Sequence, residues 1–352
     1  MLRLKQLFER IWADGSDPQE FKDALIVHIY KRKGNRACCD DHRGISLLSI
    51  AGKVLARIIL NRLSTYVFSS NIIPESQCGF RAGRGTADMI FTARQVQEKC
   101  REQRQDLYMI FIDLTKAFDS VNRDGLWAVL RRISCPDKLV HIIQSLHDGM
   151  LGCVLDNGNS SAPFNITNGT KQGCVLAPLL FSIFFSMMLL VAFKDCDEGV
   201  PIQFRTDGSV FNLRRLQART KIFESILRDL LFADDCALLA HSQNSAQLLL
   251  DRFACASRRF GLTISLKKSE VMFQPAPHRT SHSPSLFVDG TVLKSVQRFC
   301  YLGSVLSTTV NIDDDVNSRL AKASASFGML TSRLWNDHGI RLSTKVAKCT
   351  KQ

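Results

Sequence analysis

Hydrophobic positions along the chain fall into two patterns: short unbroken runs, which suit buried strands, and stripes at helical spacing. Leu25 to Tyr30 reads as a strand entering the basic turn Lys31 to Arg36, and Arg43 to Leu48 reads as the strand that returns. From Ser49 to Tyr66 the spacing predicts a helix, with Val54, Leu55, Ile58, Ile59 and Leu63 on one face and Lys53, Arg57 and Arg62 off it. Asp106 to Leu114 reads as a buried strand ending in an acid, Asp113. Helices are expected over Trp127 to Ile143, Leu216 to Leu227, Ser242 to Phe260 and Val316 to Trp335. Hairpins are expected within Gly152 to Asn168, at Val288 to Thr291 and at Phe299 to Ser304.

Two stretches need separate treatment. Val175 to Phe193 is a run of about nineteen uncharged residues, long enough to mimic a membrane span. Pro178 near its start, with Ser182 and Ser186 inside it, predicts a buried helix with proline in the first turn instead. Pro74 to Asp88 is a glycine-rich, basic loop, and Thr86 is the expected N-cap of the helix that follows.

The chemistry is concentrated at Asp234 and Asp235. They interrupt an apolar run, Leu230 to Ala240, and so fall at the tip of a tight hairpin between two short strands. Taken alone the pair reads as a polar turn. Carboxylates at the rim of a buried sheet are costly unless a positive group meets them, and Mg²⁺, with hard oxygen ligands and room for phosphate, is the usual answer. Asp113, at the end of another buried strand, can converge with them. Two divalent ions held by such acids activate a primer 3′-hydroxyl and neutralise departing pyrophosphate.

Composition adds a partner. With 352 residues, 45% of them hydrophobic, the chain can bury a large core and divide into two or three subdomains. Its net charge of +13 points to a polyanion, most simply nucleic acid. No basic amphipathic anchor calls for a membrane. Twelve cysteines lie scattered without a Cys-x-x-Cys pair, which excludes a zinc motif or disulfide framework and predicts free thiols in a reducing compartment. Met1 to Glu20 is charged throughout, unlike a secretory signal.

Three motifs in order carry a family resemblance. Phe111 to Val121, FIDLTKAFDSV, resembles the first catalytic motif of reverse transcriptases; Phe232 to Asp235, FADD, resembles their aromatic-x-Asp-Asp box; Gly169 to Phe181 resembles their Gln-Gly motif, with Ala177 where serine is common. The wording is similar to the non-LTR (LINE-type) branch, with an RTE-like look.

The resemblance implies an α+β, right-hand polymerase fold: fingers over 1–100, palm over 101–306 and the start of a thumb over 307–352. The reverse transcriptase domain would span about 20–306, and the chain reads as truncated inside the thumb. It implies that Asp113, Asp234 and Asp235 hold two Mg²⁺ ions, with Mn²⁺ as a substitute, and that Lys268 acts as general acid. Arg43 and either Lys31 or Lys33 would meet the triphosphate. Phe118 would pack under the nucleotide sugar and exclude a 2′-hydroxyl; Gln172 and Gly173 would line the nucleotide pocket. The Gln77-x-Gly79-Phe80-Arg81 loop would lie near the template, and Phe299 to Ser304 would grip the primer. Implied partners are an RNA template, a DNA primer and dNTPs, in the nucleus or cytoplasm. Two alternatives stay open: a catalytically silent remnant that only binds nucleic acid and, more distantly, a nucleotide cyclase.

Overall fold

The structure is a computed structural model, and it describes residues 2–32, 34–70, 72–204, 223–279, 283–337, 339 and 341–349. Helix α1 (Leu2–Asp14) and the single turn α2 (Gln19–Lys22) lead into strands β1 (Ala24–Tyr30) and β2 (His42–Leu47). These pair antiparallel, Val27 opposite Ile45 and Ile29 opposite Arg43, as the pattern predicts. Helix α3 (Ile50–Ser69) starts where Ser49 Oγ accepts from Gly52 N at 3.0 Å. Helix α4 (Thr86–Glu102) starts one residue earlier than expected. Gly85 is the N-cap, and Asp88 Oδ2 accepts from its N–H at 2.7 Å, so Thr86 is already helical.

Strand β3 (Leu107–Ile112) is buried along its whole length and ends at Asp113. The single helix expected over Trp127 to Ile143 is two, α5 (Arg123–Arg132) and α6 (Asp137–Ser145). Pro136 explains the break, because the residue before a proline is pushed out of helical geometry. Strand β4 (Leu151–Asp156) carries the short β5 (Asn159–Ser160) and β6 (Phe164–Asn165) antiparallel to it, and itself runs parallel to β1. The long apolar run forms α7 (Ala177–Ala192) with Pro178 in its first turn. Phe181, Phe184 and Phe185 are at most 1% exposed, each worth about 1.5–3 kcal/mol of burial. No helix among the described residues is long and apolar enough to cross a membrane.

Strands β7 (Val200–Phe204) and β8 (Phe223–Leu227) pair with each other, so the helix expected over Leu216 to Leu227 is strand from Phe223 on. Its earlier part lies outside the described residues. Strands β9 (Asp229–Phe232) and β10 (Asp235–Ala240) form the acidic hairpin, and α8 (Gln243–Arg259) follows. Strand β11 (Glu270–Gln274) follows residues 261–268, turns and loop that wrap the end of β3. Beyond lie the hairpin β12 (Phe287–Val288) and β13 (Thr291–Val292), the short β14 (Lys294–Ser295), the hairpin β15 (Arg298–Tyr301) and β16 (Ser304–Ser307), and α9 (Asp313–Met329).

The central sheet has the order β14-β11-β3-β10-β9. Side chains alternate across a strand, and here both faces are covered. Ile110 and Ile112 of β3, with Cys236 and Leu238 of β10, join a core shared with α3, α5, α6, α7 and α8. Met109 and Phe111, with Ala237 and Leu239, join a second core with α4 and the β15–β16 hairpin. Asp315, buried in α9, accepts from Val305 N at 2.8 Å and from Arg94 at 3.2 Å, which ties the last long helix to that hairpin and to α4. The described cysteines are free thiols.

Candidate active site

A fully buried sheet can place carboxylates only at its ends, and the register decides which acids meet. Cys236 of β10 lies opposite Ile112 of β3, so one step further Asp235 faces Asp113. Asp234 sits in the two-residue loop between Phe232 and Asp235, with Ala233 at φ +58°. That hairpin brings the predicted acids to one edge. Asp234 is half-buried, while Asp235 opens to solvent. Both carboxyls are raised above the ordinary aspartate range. For Asp234 the causes are burial first and repulsion from Asp113 after it. The Asp235 residue reaches solvent, but its carboxyl loses hydration against the packed sheet edge; that desolvation, and then repulsion from Asp234 and Asp113, push it up to about 6. Arg43 and Lys268 pull both back down, which places the two cations within electrostatic reach of the acids. Among the described residues no three acids, histidines or cysteines stand ready-made as a metal cage.

Residues 261–269 hold Asp113. Its N–H donates to the buried Ser269 Oγ at 3.1 Å, and its carbonyl accepts from Ser265 N at 2.8 Å. The same turn aims Lys268 at the site, where Nζ donates to Asp113 Oδ1 at 3.1 Å. A cavity of about 60 Å³ lies there, lined by Asp113, Asp235, Lys268, Phe299 and Tyr301 among others. Phe299 reaches it by stacking on Phe111, with ring centres 3.8 Å apart. A second cleft among the described residues, about 340 Å³, between Asn122 and Asn168, holds none of the expected site residues.

Phe118 leaves the turn after Asp113 half-buried and stacks on Phe181 of α7 at 4.5 Å, with Phe80 edge-on at 6.3 Å. Its carbonyl accepts from Thr170 N at 2.8 Å, so the first motif and the Gln-Gly loop are joined. That loop also leans on β2: Ser46 N donates to the Gln172 carbonyl at 2.8 Å, and a Cβ on Gly173 would sit 2.6 Å from the Ser46 carbonyl. Gly173 has φ +107°, so glycine is required there on both counts.

Lys31 Nζ donates to the Asp40 carbonyl at 2.7 Å and so closes its own hairpin. Lys33 lies outside the described residues. Sequence reasoning missed Lys171 and Arg123. Lys171 is buried, with Nζ on the Lys22 carbonyl at 2.8 Å and its pKa lowered to about 8, mainly by burial. Arg123, also buried, donates to the carbonyls of His147 and Ile166 at 2.7 and 2.8 Å. Together they tie the Gln-Gly loop to α2 and to the residues that follow α6. The Gln77 to Arg81 loop packs against the acidic hairpin: Gln77 is 0% exposed, and Cys78 N donates to the Leu231 carbonyl at 2.9 Å.

Known proteins bear on this arrangement. The RNA-directed DNA polymerase from mobile element jockey of Drosophila melanogaster is 27% identical over 310 residues, which cover 86% of this chain and 31% of the relative. Its namesake from Drosophila funebris is 27% identical over 325 residues, covering 90% and 32%. The chain thus spans about a third of the length of these relatives. Among solved structures, apo telomerase from Candida tropicalis truncated from its C-terminal domain superposes with a TM-score of 0.54 at 15% identity, over 88% of this chain and 58% of that one. That likeness shows the fold, the α+β right-hand polymerase fold implied by the motifs. Residues 29–306 match the family described as reverse transcriptase (RNA-dependent DNA polymerase). With that match over most of its length, and the matched segment holding Asp113, Asp234 and Asp235 at one sheet edge, the chain belongs to the reverse transcriptase family.

Proposed function

We propose that this chain is an RNA-directed DNA polymerase that adds deoxynucleotides to a primer 3′ end on an RNA template. The observation that carries the reading is the convergence of Asp113, Asp234 and Asp235 at the edge of a buried sheet, where the last two are raised by desolvation and by repulsion from neighbouring acids. A cluster strained in that way calls for cations. Mg²⁺ suits it, since Mg²⁺ is commonly held by one or two carboxylates, waters and substrate phosphates rather than by an all-protein cage; Mn²⁺ is the expected substitute. Asp113, Asp234 and Asp235 would hold two such ions, which would sharpen the primer hydroxyl as a nucleophile and offset the charge of the leaving group.

The chain's own residues supply the rest. Arg43, exposed on β2 within reach of the acids, grips the triphosphate as a fork, with Lys31 or Lys33 beside it. Phe118, backed by Phe181, underlies the sugar and excludes a 2′-hydroxyl. Gln172 hydrogen-bonds the nucleotide or template, and Gly173 lets the chain pass close to β2. The primer oxygen attacks the α-phosphorus, its proton passing to solvent. The bond to the bridging oxygen breaks, and Lys268 gives a proton to the pyrophosphate that leaves. The fingers are assigned to 1–100, the palm to 101–306 and the start of the thumb to 307–352. The pairing of β1 with β4 supports a fingers sheet that also draws on residues 151–156.

Primer extension tests the reading. The chain, given poly(A), oligo(dT), dTTP and Mg²⁺, is expected to lengthen the primer, and an Asp234→Ala/Asp235→Ala chain is not. If both bind the hybrid and neither extends it, the chain is a nucleic-acid binder without polymerase activity.

A further inference from the structure

The acidic hairpin has a backbone problem that its own strands do not solve. Ala233, the first residue of its loop, has φ +58°, a region that a Cβ disfavours. Ala233 is also 6% exposed, so its N–H and carbonyl need partners inside the protein. Gln77 supplies both. Its Oε1 accepts from Ala233 N at 2.9 Å, and its Nε2 donates to the Ala233 carbonyl at 3.1 Å. The same Oε1 accepts from Gly79 N at 2.8 Å, which fixes the amide within its own loop. One side-chain amide therefore treats Ala233 as a neighbouring strand would.

The backbone around it continues the contact. Cys78 N donates to the Leu231 carbonyl at 2.9 Å, and Leu231 N to the Ser76 carbonyl at 3.1 Å. Gly79 approaches so closely that a Cβ there would lie 2.1 Å from Ala233 N. The loop is itself anchored, since Arg81 and Arg84 both bind Glu75, at 2.5 and 2.8 Å. Its next residue, Phe80, sets its ring edge-on against Phe118. A single loop thus touches the turn that presents Asp234 and the ring that underlies the nucleotide sugar.

We propose that Gln77 is a positioning residue of the active site. It holds the Ala233–Asp234 turn at the height and angle at which Asp234 meets a divalent ion. The proposal rests on the polymerase reading and deepens it. Only an amide of this length both donates and accepts. The substitution Gln77→Glu, once ionised, loses the donor and turns a charge toward the Ala233 carbonyl. The substitution Gln77→Met keeps a similar size but leaves the Ala233 N–H, the Ala233 carbonyl and the Gly79 N–H unpaired.

The test compares the wild-type chain with Gln77→Met on poly(A)/oligo(dT). It reads single-turnover dTMP incorporation, the Mg²⁺ concentration for half-maximal rate, Mn²⁺ binding by electron paramagnetic resonance, hybrid affinity, melting temperature and amide exchange in the peptide holding Ala233. The expected variant melts cooperatively and binds hybrid to within about twofold, yet incorporates about 100-fold more slowly, since small misplacements carry losses of that order. It also needs more Mg²⁺, binds Mn²⁺ more weakly and exchanges the Ala233 amide faster. Rate, Mg²⁺ requirement and exchange all unchanged overturn the proposal, as does a rate loss matched by an equal loss of hybrid binding. If Gln77→Met does not fold, Gln77→Glu takes its place with the same outcomes. If the wild type extends nothing, the polymerase reading fails by itself, and Mn²⁺ binding and Ala233 exchange still decide the role of Gln77.

Discussion

Lys268 Nζ donates to Asp113 Oδ1 at 3.1 Å, so the cation proposed to serve the leaving group rests on an acid proposed to hold a metal ion. The pair is open to water, with the lysine side chain 65% exposed. Such pairs contribute roughly 0–1 kcal/mol. Lys268→Ala is therefore expected to leave the melting temperature nearly unchanged. Incorporation should slow by about 100-fold, as the loss of a general acid does. Melting curves and single-turnover rates on the same preparation check this; a rate within a factor of two removes Lys268 from the chemistry.

The raised carboxyl of Asp235 makes a pH prediction with a definite sign. Its folded pKa, about 6, lies above the unfolded value, so the folded chain holds this proton more tightly. Folding is then favoured below the unfolded value, and the advantage disappears as pH rises through about 6. At neutral pH the ionised group opposes folding. Asp235→Asn is expected to melt above the wild type at about pH 7.5, and the gap should close as pH falls through about 6. Added Mg²⁺ should raise the wild-type melting temperature more than that of the variant. A gap that widens in acid would contradict the assignment.

Phe118 gives a specificity prediction. Its ring is held between Phe181 and Phe80, which leaves it little freedom to retreat from a sugar. Phe118→Val is expected to narrow the preference for dTTP over UTP, in kcat/KM, by about 100-fold, mostly through faster use of the ribonucleotide. Unchanged discrimination would make Phe118 a core residue only.

Gly173 gives a stability prediction. Its φ of +107° and the 2.6 Å approach of a Cβ to the Ser46 carbonyl act together. Gly173→Ala is expected to lose about 1–3 kcal/mol in urea denaturation, and its KM for dTTP should rise because the Gln172 loop lifts from β2. A neutral substitution would show that the loop is not seated on β2 in solution.

The acidic hairpin was legible because its signal is local: two apolar runs of strand length with Asp234 and Asp235 between them. The same holds for α7, where Pro178 fixes the start and the unbroken apolar run marks a helix buried over most of its length. Pro136 carried an equally local signal, and the expected helix ran through it. What stayed illegible depends on distant contacts. Arg123 and Lys171 look like surface charges in sequence, yet their partners are main-chain carbonyls at the end of α2 and just past α6, far away along the chain. The pairing of Gln77 with the acidic hairpin has no local signal, because it exists only once β9 lies beside the loop. Residues 223–227 fall in the stretch expected as helix but pair with β7, so tertiary context overrides local preference there.

The most direct test of the account is single-turnover dTMP incorporation on poly(A)/oligo(dT) by the wild-type chain and by Asp234→Asn, with hybrid affinity measured in the same samples. The account predicts incorporation by the wild type, a loss of about 1000-fold in the variant, and hybrid affinity that is equal or tighter because a negative charge has been removed. A variant rate within about tenfold of the wild type, or a wild type that binds the hybrid and incorporates nothing, would contradict it.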